Sequence, residues 1–248
     1  MSINLLNPFI KFASGGSIPS IVTDDSYAWF DSNDASSIIK DGSNLVSSWA
    51  NKSEDALGTK LDLLQGTASA KPIWTDDTLN SLPAMSFVGN KYMQTDDAKA
   101  NIPSVSQPCV YFIVARTDGT TSERVLQDRG TGWGTDYNNS RQNIVKTGSW
   151  SVDGVDTGDS TDITSGNWFY MTCVFNGASG DLRFNGSSVD TFDSGIRKMS
   201  FGTLGAWSSA DSAQTWKGWV AEYIMFDQSL SSAEITTVET YLADKWDL

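Results

Sequence analysis

Histidine is absent from the 248 residues of the chain, and cysteine occurs only twice. Without histidine the chain can form neither a Ser-His-Asp triad nor a Cys-His nucleophile pair. Zinc sites with histidine ligands are excluded for the same reason, and two cysteines are too few for a four-thiolate metal site. The absences therefore remove the common nucleophilic hydrolases and the zinc enzymes from consideration.

Positive charge is scarce as well: 17 Lys and Arg stand against 30 Asp and Glu, for a formal net charge of -13 and a pI of about 4.2. Nucleic-acid binding and attachment to anionic lipid both need clustered Lys and Arg. No segment approaches the ~20 consecutive apolar residues that span a bilayer. We therefore expect neither a nucleic-acid partner nor a membrane.

The two cysteines, Cys109 and Cys173, lie in the apolar stretches "PCVYFIVAR" and "WFYMTCVFN". We interpret them as small buried hydrophobes, since thiols inside strands are usually inert. A disulfide between them would require neighbouring strands and an oxidising compartment, and the sequence leaves this open.

Aromatic residues are plentiful, with ten Trp and eleven Phe, and they fall in short apolar segments separated by Gly, Asn, Asp and Ser clusters. This spacing is typical of a β-sandwich. Because "YFIVA" and "WFYMTCVF" are apolar on both faces, they are predicted to be central strands covered on both sides. Trp49, Trp168 and Trp219 lie in strand patterns, and we expect them in the core.

Two local motifs are specific. "VFNGASGDLRFNG" predicts a hairpin, with a Gly-rich loop from 176 to 180 and a type I′ turn at Asn185-Gly186. At the end of the chain Ser231 and Glu234 form a capping-box pattern. It is followed by four apolar residues at helical spacing, which predict an amphipathic helix on the sandwich: Ile235, Val238, Leu242 and Trp246.

The first twenty residues differ from the rest, so we divide the chain into an arm with its hinge (1–20) and a sandwich domain (21–248). A signal peptide does not fit, because no Lys or Arg precedes the apolar stretch and Lys11 falls inside it. A central strand is disfavoured by Pro8. We therefore expect an arm whose apolar side chains are buried against a partner. Its docking residues are Leu5, Leu6, Pro8, Phe9, Ile10 and Phe12.

Several segments together resemble the laminin-G-like branch of the concanavalin A-like lectin/glucanase superfamily. They are "YAWFDSNDASSI", "LVSSWANKS", "LPAMSFVGNKYM", the hairpin, and "GWVAEYIMFDQSLSSAEITTVETYLADKWDL". The resemblance runs from about residue 25 to 248. It implies an all-β fold, a two-sheet antiparallel jelly-roll sandwich. Such domains bind glycans or proteins, hydrolyse glycans in some branches, and occur in bacteriophage structural proteins. The residue patterns add a C-terminal amphipathic helix and an extended N-terminal arm.

The chain departs from the catalytic branches at their paired glutamates. Retaining glycosidases need carboxyl groups about 5 Å apart, supplied in that family by one face of a strand. Here the nearest pair, Glu222 and Asp227, is five residues apart and falls on opposite faces of a regular strand. We expect Glu222 to orient a backbone group or to pair with an arginine at a sheet edge, and we expect no enzymatic activity.

Candidate carbohydrate-binding residues are the tryptophans that lie in Gly- and Ser-rich surroundings, together with the polar neighbours of the first one. They are Trp133, Tyr137, Asn138, Trp150 and Trp207. The alternative is that these tryptophans close the ends of the sandwich core. The acidic stretch "DGVDTGDSTD" (Asp153, Asp156, Asp159, Asp162) offers oxygen ligands for calcium but lacks the EF-hand order and its bidentate Glu. We interpret it as a solvated loop and expect no cofactor.

These features lead to the hypothesis of a virion surface protein, either a capsid decoration or a fibre-like subunit. Its arm would dock on a capsid or other virion protein, its sandwich would face outward toward glycans, and the subunits could form a homo-oligomer. Assembly in the host cytoplasm and release by lysis would need no export signal. Two alternatives stay open: a free carbohydrate-binding lectin whose arm packs on its own sandwich, and a glycan hydrolase.

Overall fold

The computed structural model describes residues 17–53, 62–95, 104–118, 123–127, 144–147, 149–152, 155–156, 166–196, 199–200, 202–206 and 215–248. Within these ranges the chain forms α1 (Ser20–Asp25), α2 (Ser232–Trp246) and two short 3-10 helices (Ala35–Ser37 and Ala68–Ala70). The strands in the same ranges are β1 Ala28–Asp31, β2 Ile38–Lys40, β3 Val46–Trp49, β4 Leu63–Leu64, β5 Ile73–Leu79, β6 Leu82–Ser86, β7 Met93–Thr95, β8 Ser104–Val105, β9 Cys109–Thr117, β10 Glu123–Gln127, β11 Ile144–Thr147, β12 Ser149–Val152, β13 Val155–Asp156, β14 Trp168–Phe175, β15 Gly180–Phe184, β16 Ser187–Phe192, β17 Met199–Ser200, β18 Thr203–Leu204 and β19 Gly218–Phe226.

One sheet carries the helix on its outer face, and we call it the helix-side sheet. Its strand order is β16-β15-β14-β9-β19-β6-β5, and β1 also pairs with β19. The three central strands β14, β9 and β19 are apolar on both faces, which confirms the prediction for β9 and β14. Strand β19 pairs with β9 along one edge, and along the other with β6 near its start and β1 near its end.

The second sheet has the order β13-β12-β11-β10-β18-β7-β4-β3-β2, and β8 pairs with β17 in a small ribbon. Pairing is antiparallel throughout both large sheets. Two antiparallel sheets and one C-terminal helix confirm the predicted all-β sandwich.

The hydrophobic side chains separate into two cores, one on each face of the helix-side sheet. The interior core lies between the sheets and contains Phe30, Trp49, Tyr111 and Tyr223 among its buried residues. The helix-side core lies on the opposite face, where α1 and α2 cover the sheet. A sheet covered on both faces needs strands without a polar face, and the apolar runs of β9 and β14 meet that need.

Helix α2 begins directly after Ser231, and both hydrogen bonds of the predicted capping box to Glu234 are present. Val238, Leu242 and Trp246 are buried in the helix-side core and Ile235 packs at its margin. The predicted helix and its apolar face are confirmed. No described helix is both long and apolar enough to cross a membrane.

The predicted type I′ turn of the hairpin is confirmed. Strands β15 and β16 are joined by Asn185 at φ 47° and Gly186 at φ 79°. A type I′ turn requires positive φ at both central residues, and the Asn-Gly pair tolerates this with little strain. The turn therefore sets the register of the sheet's edge strand β16.

The structure also decides the positions of the cysteines and three tryptophans. Cys109 and Cys173 are buried thiols on the neighbouring strands β9 and β14, as predicted, with no disulfide between them. Trp49 is buried in the interior core, as expected. Trp168 and Trp219, however, are only half-buried, at the margin of the helix-side core. Their assignment to the core is wrong, because the helices leave this end of the sheet partly uncovered.

Candidate functional site

Glu222 lies in the middle of the helix-side sheet, fully buried beneath α2. Its Oε1 accepts hydrogen bonds from Trp29 Nε1 at 2.8 Å and from the Tyr241 hydroxyl at 2.9 Å. Its Oε2 accepts from Lys245 Nζ at 2.8 Å and from Trp246 Nε1 at 2.7 Å. The expected backbone role or arginine partner at a sheet edge is therefore wrong. Both oxygens are already occupied by protein donors.

The Glu222 contacts continue into a chain of alternating charges. Lys245 Nζ lies 2.9 Å from Asp31 Oδ1, and Lys52 Nζ lies 3.3 Å from Asp31 Oδ2 and 2.9 Å from Asp34 Oδ2. Because Asp31 is the cross-strand partner of Glu222, one lysine from α2 reaches both carboxylates. We call this set, Asp31, Lys52, Glu222 and Lys245, the buried ion network.

Two members of the network, Asp31 and Lys245, have pKa values shifted toward their charged forms. Burial by itself would raise the pKa of Asp31, but the charges of Lys245 and Lys52 outweigh it and lower that pKa. Burial would lower the pKa of Lys245, but Asp31 and Glu222 outweigh it and raise that pKa. Asp31 and Lys245 are buried, and their mutual attraction fastens α2 to the sheet.

Among the described residues, Asp227 does not form a pair with Glu222. Strand β19 has a bulge between Val220 and Glu222, and Asp227 lies beyond its end, exposed to solvent. In the part of the chain that the structure describes, no group of three or more His, Cys, Asp or Glu could hold a metal ion. Asp156 lies in β13, while Asp153, Asp159 and Asp162 fall outside the described residues.

A second ion pair fastens the first half of α2. Arg183 Nε donates to Glu239 Oε1 at 2.8 Å and its Nη2 to Glu239 Oε2 at 3.1 Å. The Thr172 hydroxyl donates to the same Oε1 at 2.8 Å. The arginine also donates to the Gly186 carbonyl at 2.8 Å, so it ties the I′ turn to the helix. This cluster is structural, because each of its groups has a protein partner.

At one end of the strands β9, β14 and β19, four side chains form a partly exposed row. Arg116 of β9 is the cross-strand partner of both Trp168 of β14 and Trp219 of β19. Its Cζ lies 5.5 Å from the Trp168 ring centroid and 5.1 Å from that of Trp219. Asp118 accepts both from Arg116 Nε at 2.9 Å and from Trp219 Nε1 at 2.9 Å. We call these four residues the tryptophan–arginine row.

The row combines aromatic surface with charged hydrogen-bonding groups. The side chains of Arg116 and Asp118 are 23% and 33% exposed, and both indoles are half-buried. Sugars are bound through aromatic surfaces beside polar groups that satisfy hydroxyls. This row was not predicted from the sequence, because both tryptophans lie at the start of apolar strands. The available signal was Arg116, a charged residue where the apolar run of β9 ends.

A pocket of about 320 Å³ opens at the opposite end of the same strands. Three chain segments line it: the residues just before β9, the connection from β14 to β15, and the residues just after β16. The Cys109–Phe175 pairing brings the first two of these segments together. The residues that line this pocket, which we call the end pocket, are Ser106, Gln107, Pro108, Asn176, Gly177, Gly195 and Ile196.

The carbohydrate-binding residues predicted from sequence are outside the described residues, except for the backbone of one. Trp150 lies in β12, opposite Lys146 of β11. Trp133, Tyr137 and Asn138 fall between β10 and β11, and Trp207 follows β18. The strands β18, β10, β11 and β12 are consecutive neighbours in the second sheet, so the segments that carry these residues connect to one sheet.

The predicted docking residues lie in the undescribed part of the chain, residues 1–16: Leu5, Leu6, Pro8, Phe9, Ile10 and Phe12. The first described residue is Ser17. Ile18 and Ile21 pack at the margin of the helix-side core, so this stretch of the chain lies on the helix side of the sandwich.

No protein-family model and no curated protein sequence matches the chain. Solved structures do match. A Trypanosoma rangeli sialidase mutant displaying trans-sialidase activity has a TM-score of 0.53 and 10% identity over 94% of this chain and 36% of its own. The same sialidase in complex with sialic acid has a TM-score of 0.51 and 11% identity over 92% and 36%.

The binding domain of botulinum neurotoxin serotype D has a TM-score of 0.51 and 11% identity over 90% of this chain and 52% of its own. The chain thus spans 36% of the sialidase chains and 52% of the toxin binding domain. At these identities the likeness shows the fold: the chain shares a lectin-like β-sandwich architecture with parts of a sialidase and a toxin binding domain.

Proposed function

We propose that this chain is a glycan-binding domain without hydrolytic activity, and that the tryptophan–arginine row is part of its binding surface. The observation that carries the proposal is the pair of half-exposed indoles of Trp168 and Trp219 beside the Arg116–Asp118 ion pair. Aromatic surface can contact the apolar face of a sugar ring, while guanidinium and carboxylate groups bind its hydroxyls.

The spacing of the row suits an oligosaccharide. The two tryptophans stand on strands separated by one strand, so their backbones are about 10 Å apart. This is more than the length of one sugar ring. Asp118 is held by Arg116 and by Trp219, so the charged groups are already oriented and little entropy is lost when a ligand binds.

The structural neighbours support the same class of ligand. One of them is a sialidase in complex with sialic acid, and another is the binding domain of a neurotoxin. Both share the β-sandwich fold with this chain. The sialic acid complex supports a sugar-binding role for the sandwich, and the toxin binding domain supports the shared fold.

The proposal contains no bond-breaking step. The glutamate that corresponds to the central Glu of the resembled family's C-terminal signature is Glu222, whose four hydrogen bonds leave no acceptor position for a substrate. We therefore expect incubation with oligosaccharides to release no reducing sugar. Hydrolysis by the purified full chain would contradict this part of the proposal.

The test is a glycan array with the full chain, followed by calorimetric titration of the best ligand. We expect Trp168→Ala and Trp219→Ala to weaken binding at least tenfold. The matched control is Trp74→Ala, since Trp74 is also half-buried and has a cationic neighbour, Lys40 Nζ, 4.5 Å from its ring centroid. Array binding that survives both row variants, or an array without any bound glycan, would overturn the proposal.

We further propose that the domain acts on a virion surface, as a capsid decoration or fibre-like subunit docked through residues 1–20. The support is the apolar arm sequence, whose Leu5, Phe9 and Phe12 are costly to expose to water. The test is incorporation of a Phe9→Asp/Phe12→Asp variant into virions, with Ser14→Asp as control. We expect the double variant to stay unassembled while it still binds glycan. Undiminished incorporation would contradict the docking role.

A further inference from the structure

Beyond the tryptophan–arginine row, we propose that the end pocket binds a single uncharged sugar ring. This inference rests on the proposed glycan-binding function and adds to it a second site with a defined ligand class. The end pocket has a volume of about 320 Å³, at the lower end of the range for ligand pockets. This volume suits one sugar ring and not an extended oligosaccharide.

Among the described residues that line the pocket, none has a charged side chain; Arg197 and Lys198, which follow Ile196 in the sequence, lie outside the described residues. The polar groups of the pocket come from Ser106, Gln107 and Asn176 and from the backbone at Gly177 and Gly195. An anionic sugar would need a cationic partner to offset the loss of its hydration. The chain's net charge of -13 adds a long-range repulsion against anions. Both facts favour a neutral ligand.

Two polar side chains at the pocket are available to a ligand. Asn176 and Ser106 are exposed, and neither side chain has a hydrogen-bond partner among the described residues. An asparagine amide provides two donor hydrogens and an acceptor oxygen, and a serine hydroxyl can donate and accept. This set matches the neighbouring hydroxyls of a sugar ring, each of which also both donates and accepts.

An apolar contact surface lies beside these groups. Ile196 lines the pocket and is 87% exposed, the highest value among the exposed large hydrophobic residues that the structure describes. An aliphatic side chain next to amide and hydroxyl groups can cover the C–H face of a sugar ring. A ligand that covers Ile196 would remove this apolar surface from water, and this burial favours binding.

The pocket wall is rigid before any ligand arrives. Gln107 Oε1 accepts from Gly177 N at 2.6 Å and from the Ser194 hydroxyl at 2.7 Å. Gln107 Nε2 donates to the Ser194 carbonyl at 3.2 Å, and Ser194 N donates to the Gly177 carbonyl at 2.9 Å. One side chain thus joins the three segments that form the wall. Such preorganisation reduces the entropy lost on binding.

The experiment is saturation-transfer NMR on the full chain with glucose, galactose, mannose and N-acetylglucosamine as neutral probes and sialic acid as an anionic probe. We expect transfer to at least one neutral sugar, and any transfer to sialic acid should be unchanged in Asn176→Ala. Asn176→Ala and Ser106→Ala should each raise the dissociation constant for that neutral sugar at least fivefold. The matched control is Ser179→Ala, an exposed serine in the same β14–β15 connection that does not line the pocket.

The possible outcomes distinguish a failure of the pocket inference from a failure of the proposed function. Neutral-sugar binding that is unchanged by Asn176→Ala and Ser106→Ala but lost in Trp219→Ala would overturn the pocket inference and leave the glycan-binding proposal standing. Sialic acid binding that is lost in Asn176→Ala would overturn the neutral ligand class. Absence of binding in both the NMR experiment and the glycan array would overturn the inference and the proposed function together.

Discussion

Glu222 is a residue whose role depends on its partners. A glutamate in the middle of a strand is compatible with catalysis, with an edge ion pair or with a buried contact. The four donors around it come from β1 and from three positions of α2, Tyr241, Lys245 and Trp246. A fully satisfied buried carboxylate specifies where the helix must lie, because any other position would leave the charge without partners.

Replacing Glu222 with Gln should lower the free energy of unfolding by about 3 kcal/mol, the cost of breaking a buried ion pair by removing one partner. The NH2 group of the glutamine would also place its hydrogens against side chains that are themselves hydrogen-bond donors. Urea denaturation followed by tryptophan fluorescence measures the change. As a control, Asp227→Asn alters an exposed acid on the same chain segment and should stay within about 0.5 kcal/mol. A loss below about 1 kcal/mol for Glu222→Gln would contradict the structural role.

Asp31 should make stability depend on acid pH. Burial raises its pKa, but Lys245 and Lys52 outweigh burial, so the pKa is lowered in the folded chain. A lowered carboxyl pKa contributes stability that is complete above the unfolded value of about 4 and is lost as the pH falls through the folded value. The Asp31→Asn variant should be less stable at neutral pH and should lose less stability on acidification.

Urea denaturation at several values between about pH 3 and about pH 7 tests this dependence. The Asp227→Asn variant serves again as the comparison and should keep the acid-side decrease of the unaltered chain. If Asp31→Asn shows the same decrease as the unaltered chain, then Asp31 does not contribute to it.

At the scale of elements, α2 is held at both ends by different chemistry. Its first turn is closed by the capping box of Ser231 and Glu234, and its last turn by Lys245 in the buried ion network. Its apolar face covers the helix-side core between them. Local sequence signals therefore decide where the helix begins, and tertiary contacts decide where it lies.

Removing the cap should destabilise the chain measurably. Ser231→Ala deletes the hydroxyl that accepts from the Glu234 backbone N–H, and N-cap substitutions of this kind cost about 1 kcal/mol. Differential scanning calorimetry should show a lower Tm. Ser232→Ala, one residue later and inside the helix, is the matched control and should leave Tm unchanged or slightly raised. Equal melting temperatures for the two variants would argue against the cap.

The I′ turn should be sensitive at its glycine. Gly186 has a φ of +79°, and a Cβ there would lie 3.0 Å from the Tyr170 hydroxyl. Gly186→Ala should therefore lower the free energy of unfolding by about 1–2 kcal/mol. The control Gly66→Ala has no atom within 4 Å of its new Cβ and should be neutral or slightly stabilising in the same urea experiment. A neutral Gly186→Ala would contradict the turn assignment.

For the whole molecule, the central feature is a sheet with a core on each face. The interior core contains Cys109 and Cys173, both fully buried between the two sheets. Reaching either thiol requires the sandwich to open. Because both cysteines lie on neighbouring central strands, their accessibility reports on the integrity of the entire sandwich.

Thiol reactivity should therefore follow global unfolding. We expect no reaction with a disulfide reagent such as DTNB in buffer, and reaction of two thiols per chain across the same urea range in which far-UV circular dichroism is lost. A reducing agent should not alter that transition, since the structure contains no disulfide between them. Labelling well before the loss of circular dichroism would show that the sandwich opens locally.

Much of the architecture could be predicted from particular segments. The run "WFYMTCVF" became β14 with the same limits, Asn185-Gly186 formed the expected turn, and Ser231 capped the expected helix. Each of these signals is local: strand burial on two faces, positive φ and a capping side chain all show in a few consecutive residues. The resemblance supplied the sandwich that joins them.

The candidate sites could not be predicted in this way. Trp168 and Trp219 have the sequence surroundings of core residues, and they remain half-exposed because α2 covers only part of the sheet. The end pocket joins three segments that are separated by up to 90 residues along the chain, from 106 to 196. The position of a covering element and the meeting of distant segments are products of tertiary packing.

The sequence by itself determined the elements of this protein and excluded classes of chemistry, because hydrophobic period, turn residues and absent residue types are properties of the chain alone. Only the tertiary structure decided that Glu222 is a structural anchor, that two strand tryptophans reach the surface beside Arg116, and that Asn176 and Ser106 share a pocket. Burial and pairing depend on what lies opposite a side chain, and that neighbour comes from a distant part of the sequence.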